Sequence, residues 1–135
     1  MKLSGNSNEK ELKSQLVDVA SAFVKAAAFT TPTGKQNTFA AHQLPDAILI
    51  EIRKEKTPIS YTNAFIKPAR PKGDKDLLEV SLEKFTDYVK DINRKYGLTC
   101  DSRLWFTTKE IEIENVTNCE NFEELTMNLK ENLRV

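Results

Sequence analysis

The strongest constraint in this sequence is a periodicity: Leu82, Phe85, Val89, Ile92 and Tyr96 recur every three or four positions through residues 79–96, and Gly97 follows. Side chains at that spacing fall on one stripe of an α-helix, and glycine accepts the left-handed conformation that closes one. The stretch therefore predicts an amphipathic helix whose apolar stripe must be buried against another element. "AILIEI", Ala47–Ile52, is apolar and β-branched and predicts a strand buried on at least one face.

The remaining elements follow the same logic. Asn8 with Glu11 has capping-box spacing, and Leu12, Leu16, Val19, Ala20, Phe23 and Ala27 then step along one helical stripe until Pro32 and Gly34 end it. Phe39 to His42 reads as a strand or extended arm that reaches Ala47 through a bend at Pro45-Asp46. "RLWFTT" and "EIEIENV" read as strands, the second alternating charged and apolar residues as a half-exposed strand does. Asn121 with Glu124 forms a second capping box, and Phe122, Leu125, Leu129 and Leu133 line a last helix. This order predicts one α+β domain over residues 1–135, with a small, mostly antiparallel sheet and about three helices. A chain of 135 residues can bury roughly two-thirds of its unfolded surface, so it needs no metal or disulfide to fold.

Composition removes several function classes. A hydrophobic share of 39% with 30% charged residues is that of an ordinary globular chain. The longest apolar run falls far short of the ~20 residues a membrane span needs, and "MKLSGNSNEK" has no apolar signal core, so a cytoplasmic protein is expected. Cys100 and Cys119 stand without a C-x-x-C, and His42 is the single histidine, too few ligands for a zinc site; no metal or cofactor is expected. Formal net charge is zero but unevenly placed. Seven basic residues face two acidic ones between Arg53 and Lys75, a local +5, whereas Thr108 to Val135 carries three basic and seven acidic residues, a local −4.

Several stretches invite a chemical reading. "PTGKQN" places Gly34 beside Lys35, as a phosphate loop does, but Phe29 occupies the first glycine's position and Gln36 that of the magnesium-binding hydroxyl. The loop also runs from helix to strand, the reverse of the order that aims a helix N-terminus at phosphate. Two readings stay open for it: a helix ending with a solvated lysine, or a contact in which Lys35, Gln36 and Asn37 donate to nucleic-acid oxygens. No nucleophile stands beside a base at a recognisable spacing, and a structural role suits His42 better than catalysis, so no enzyme is expected. Glu110, Glu112 and Glu114 read as a solvated strand face. Trp105-Phe106 could stack on bases but fits a core better. The segment "KPARPKGDK" is broken by Pro68, Pro71 and Gly73 and must be a loop; proline holds Arg70 and Lys72 extended, so both can reach backbone phosphates at little ordering cost. A merely soluble loop is its other reading.

"PTGKQNTFAAHQLPDAILIEIR" followed by "PISYTNAFIKPARPKGDKDLLEVSLEKFTDYVKDINRKYGL" resembles the C-terminal part of CasC (Cse), the repeated backbone subunit of type I-E Cascade, a CRISPR RNA-guided surveillance complex. The signature lies in Gly34-Lys35-Gln36, Phe39-Ala40-Ala41, Pro45-Asp46, Asn63-Ala64-Phe65 and Tyr96-Gly97 taken together. The resemblance implies part of an RRM-like (ferredoxin-like) palm in a non-catalytic subunit that polymerises along CRISPR RNA. It carries RNA-backbone contact onto Arg70 and Lys72 first, then Lys67 and Lys35. It implies CRISPR RNA and other Cascade subunits as partners. Members are more than twice this length, so a partial palm would leave a sheet edge open to self-association or to pairing with an N-terminal part. An alternative is an interaction protein that docks on Cascade subunits without holding RNA.

Overall fold

The computed structural model describes residues 3–30, 44–55 and 57–134, with side chains from residue 7 onward. The "PTGKQN" loop with Lys35, the Phe39–His42 arm and Lys56 lie outside these residues. Helix α1 spans Leu3–Phe29, strand β1 Ala47–Ile52, helix α2 Leu77–Tyr96, strand β2 Ser102–Thr107, strand β3 Thr117–Cys119 and helix α3 Phe122–Arg134; a 3-10 turn occupies Thr62–Phe65. The α+β architecture with three helices is as the sequence predicts.

The strands form one sheet in the order β1-β2-β3. β1 runs antiparallel to β2 in the register Ala47 to Thr107 through Ile52 to Ser102, and β2 runs parallel to β3 from Leu104 opposite Thr117. The sheet is mixed, with its longer pairing antiparallel. Strand alternation sends Ile48, Ile50 and Ile52 with Leu104 and Phe106 to one face, where they pack with Leu125, Leu129 and Val24. The other face gathers Ala47, Leu49 and Trp105 beneath Leu78, Leu82 and Phe85 of α2. Covered on both faces, β1 can be almost continuously apolar.

The two later helices carry local signals that match their ends. Asp76 caps α2 by accepting from the Glu79 N–H at 2.8 Å, Glu79 returns the contact to the Asp76 N–H at 3.0 Å, and Gly97 closes the helix at φ 59°. Leu82 and Val89 are buried as their stripe predicts, but Tyr96, the last residue of α2, is 75% exposed. In α3 the Glu124 N–H donates to Asn121 at 2.8 Å, while the Glu124 carboxylate reaches back to the Glu120 N–H at 2.8 Å, so the capping box closes one residue early.

Two expectations are corrected. Asn8 lies within α1, which begins at Leu3, and of the predicted stripe Leu12, Leu16, Val19 and Phe23 are 57–72% exposed. The buried face is instead Val17 and Ala28, with Ala20 and Val24 half-buried, because that side meets α3. "EIEIENV" forms no strand: Ile113 is buried and the glutamates exposed as alternation requires, but Asn118 supplies the hydrogen bonds a neighbouring strand would give. Its amide accepts from the Ile113 N–H and donates to the Ile113 carbonyl, each at 3.2 Å.

Candidate nucleic-acid interface

The segment between β1 and α2 carries the basic cluster, and the structure sorts its cations by what holds them. Arg53 is withdrawn from solvent: its Nε donates to the Glu51 carboxylate at 2.7 Å and its Nη1 to the Thr99 carbonyl at 2.9 Å. Lys54 faces Asp101 at 3.6 Å, and Lys75 faces Glu83 at 2.6 Å. Lys67, Arg70 and Lys72 are exposed, and among the described residues their side chains meet no hydrogen-bonding or ionic partner. The three described residues named from sequence as RNA contacts are thus the three described cations of this segment left free for an external anion. Lys35 lies outside the described residues.

The loop that carries them is held at its ends rather than along its length. Lys84 of α2 donates to the Lys67 carbonyl, and Glu83 grips Lys75. Lys72 and Lys75 exchange backbone hydrogen bonds at 3.3 and 3.1 Å around a turn in which Gly73 adopts φ 62°. Between these anchors Pro68 and Pro71 restrict the backbone on either side of Arg70. Arg70 and Lys72 are therefore carried on a short, stiffened span whose ends are anchored to α2.

Beneath the segment lies a polar network that the sequence reading missed. Glu51, the one charge in β1, receives Arg53, the Tyr61 hydroxyl and, at 3.6 Å, Arg103 Nε; Glu51, Arg53 and Arg103 side chains are 12, 13 and 17% exposed. Asn93 of α2 donates to the Tyr61 hydroxyl at 3.1 Å and accepts from Arg103. Burial, followed by the hydrogen bond to Glu51, raises the Tyr61 hydroxyl above the ordinary phenol range. Burial opposes charge on Arg53, but the hydrogen bond and charge of Glu51 outweigh it and hold the guanidinium proton more tightly. The network ties Tyr61 to both sheet and α2, fixing the turn that leads to the cationic loop. A lone acid inside an apolar strand was its available signal. A cleft of about 660 Å³ opens beside it, lined by Leu49, Glu51, Arg53, Tyr61 and Phe85 among others.

Trp105 and Phe106, the other residues weighed for base contact, point to opposite faces. Trp105 is 1% exposed and donates its indole N–H to the Ile111 carbonyl at 2.7 Å, and Phe106 packs edge-on to Phe122. Both are core.

The described architecture is of the kind found in RNA-guided surveillance assemblies. It matches a chain of a CRISPR RNA-guided surveillance complex with a TM-score of 0.71 at 22% identity, over 87% of this chain and 45% of that one. It also matches a chain of a CRISPR RNA-guided surveillance complex, pre-nicking, at 0.72 and 21% identity, over 87% of this chain and 32% of that one. The protein belongs to the CT1975-like protein family, whose model matches residues 2–133. Family and fold together bear out the Cascade-type backbone-subunit resemblance read from the residues. A comparison with curated proteins finds no match. This chain spans less than half the length of the structural relatives above.

Proposed function

We propose that this protein is a non-catalytic CRISPR RNA-binding backbone module of a type I-E Cascade, acting in the cytoplasm and holding the RNA by its phosphates whatever its sequence. The observation that carries the proposal is the set of free cations, Arg70, Lys72 and Lys67, on a proline-stiffened loop of a family domain whose other described cations in that segment are paired. Phosphate contact without base readout suits a guide, whose bases must remain available for pairing with a target. Lys35 joins the set from the resemblance alone.

Each cation that neutralises a phosphate of a single strand contributes about 0.7 to the slope of log affinity against log salt. Replacing Arg70 and Lys72 by alanine should lower that slope by about 1.4 on single-stranded RNA of arbitrary sequence. An unchanged slope would sink their assignment.

A second reading rests on the edge of the sheet. β1 pairs with β2 on one side, and no described strand covers its other side; its six residues include no lysine, proline or glycine to discourage further pairing. A domain of this build can self-associate, pair with a further palm segment or dock on other Cascade subunits through that edge. Co-purification with such subunits, with no measurable RNA binding by the native chain, would favour docking alone.

A further inference from the structure

Three aromatic rings form a column from the core to the surface beside the cationic loop. Trp105 lies at its base, 1% exposed; Phe85 of α2 stacks on it at 5.9 Å between centroids and 19° between planes. Phe65 stacks on Phe85 at 6.3 Å and 7° and is 45% exposed. A nearly parallel pair at that separation is offset, so part of the Phe65 ring stays uncovered. Tyr61, edge-on to Phe85 at 6.1 Å and to Tyr88 at 6.5 Å, braces the column from the side. Buried Ala64 pins the turn that carries Phe65.

The column and the cations share one support. Phe85 holds Phe65, Lys84 holds the Lys67 carbonyl and Glu83 holds Lys75, three successive residues of α2. A fixed aromatic face thus ends two residues before the first free cation. Single-strand-binding surfaces combine these two features, because backbone charge supplies attraction and every base offers a π-face regardless of sequence.

We propose that Phe65 is a stacking platform for one nucleobase of the RNA whose phosphates Arg70 and Lys72 hold. The inference rests on the RNA-binding reading and adds to it a sequence-blind base contact. Ring stacking by a base contributes enough that its loss weakens binding roughly 5- to 150-fold. Leucine retains the apolar contact with Phe85 but has no planar face.

The test compares native protein, Phe65→Leu and Phe65→Trp on a single-stranded RNA and on an abasic strand of equal length with the same phosphates. Phe65→Leu should weaken RNA binding at least 5-fold and leave abasic binding unchanged, and Phe65→Trp should restore RNA binding. Equal effects on both strands, or none on either while the Arg70 and Lys72 substitutions still lower the salt slope, overturn the platform and leave the phosphate reading standing. No binding of either strand by the native protein overturns both. Photocrosslinking of the native protein to a 5-iodouridine strand keeps the question open to refutation if Phe65→Leu fails to fold. A crosslink at Phe65 supports the platform; crosslinks confined to other residues refute it.

Discussion

Glu51→Gln isolates the contribution of the network under the cationic segment. The substitution preserves shape and one acceptor oxygen but removes the only carboxylate that pairs with Arg53 and Arg103 among the described residues; their side chains are 13 and 17% exposed. Breaking a buried pair by removing one partner costs about 3–5 kcal/mol, because the remaining charge keeps its desolvation penalty without compensation. The neighbouring cleft is open, and the glutamine still accepts from Tyr61 or Arg53, so the lower figure, about 3 kcal/mol, applies. For 135 residues at about 2.1 cal/mol/K each, the unfolding entropy is roughly 0.28 kcal/mol/K, and the loss becomes a fall in Tm of about 10 °C. Differential scanning calorimetry measures it directly. The control is Glu114→Gln, which breaks a pair with Lys90 at 3.3 Å whose side chains are 76 and 58% exposed; less than about 1 kcal/mol is expected there. If Glu51→Gln melts within about 2 °C of the native protein, the guanidiniums are adequately hydrated without the carboxylate, and the network does not anchor the segment.

Other consequences are open to measurement. Val17→Ala should cost about 2 kcal/mol in urea unfolding, since Val17 is 2% exposed, whereas Leu16→Ala, at 58% exposure, should change stability by less than about 0.5 kcal/mol; the reverse order would refute the orientation of α1. Because the folded-state pKa of Tyr61 is raised, its contribution to stability is complete below the ordinary phenol pKa and is lost as pH rises through the folded value. Ultraviolet titration should therefore show one of the three tyrosines ionising late, and Tyr61→Phe should abolish that late step and flatten the alkaline loss of stability. A late step that persists in Tyr61→Phe would contradict the burial and hydrogen bonding of Tyr61.

The surface signal and the packing signal of this chain separate cleanly in α1. Its sequence offers two apolar stripes, one through Leu12, Leu16, Val19 and Phe23 and another through Val17, Ala20, Val24 and Ala28. Larger side chains make the first more conspicuous, yet the second is buried, because contact with α3 selects the side with smaller residues. In α2 and α3 one stripe dominates and caps stand at the ends, so local chemistry and tertiary packing agree. "EIEIENV" shows a different limit: alternation tells which residues face inward, but not whether a strand or the Asn118 amide satisfies the backbone.

For the candidate site the division is similar. By itself the sequence determined that residues 67–75 form a cation-bearing loop, because proline and glycine exclude regular structure there. It also determined α2, α3 and β1 through side-chain spacing. Only the tertiary structure decided which cations remain free, since Glu51, Asp101 and Glu83, which hold Arg53, Lys54 and Lys75, come from β1, the turn before β2 and α2. It alone aligned Phe65, Phe85 and Trp105, residues twenty positions apart in the chain, into one column. Spacing along a helix is a local property, whereas ion pairing and ring stacking depend on which distant segments the fold brings together.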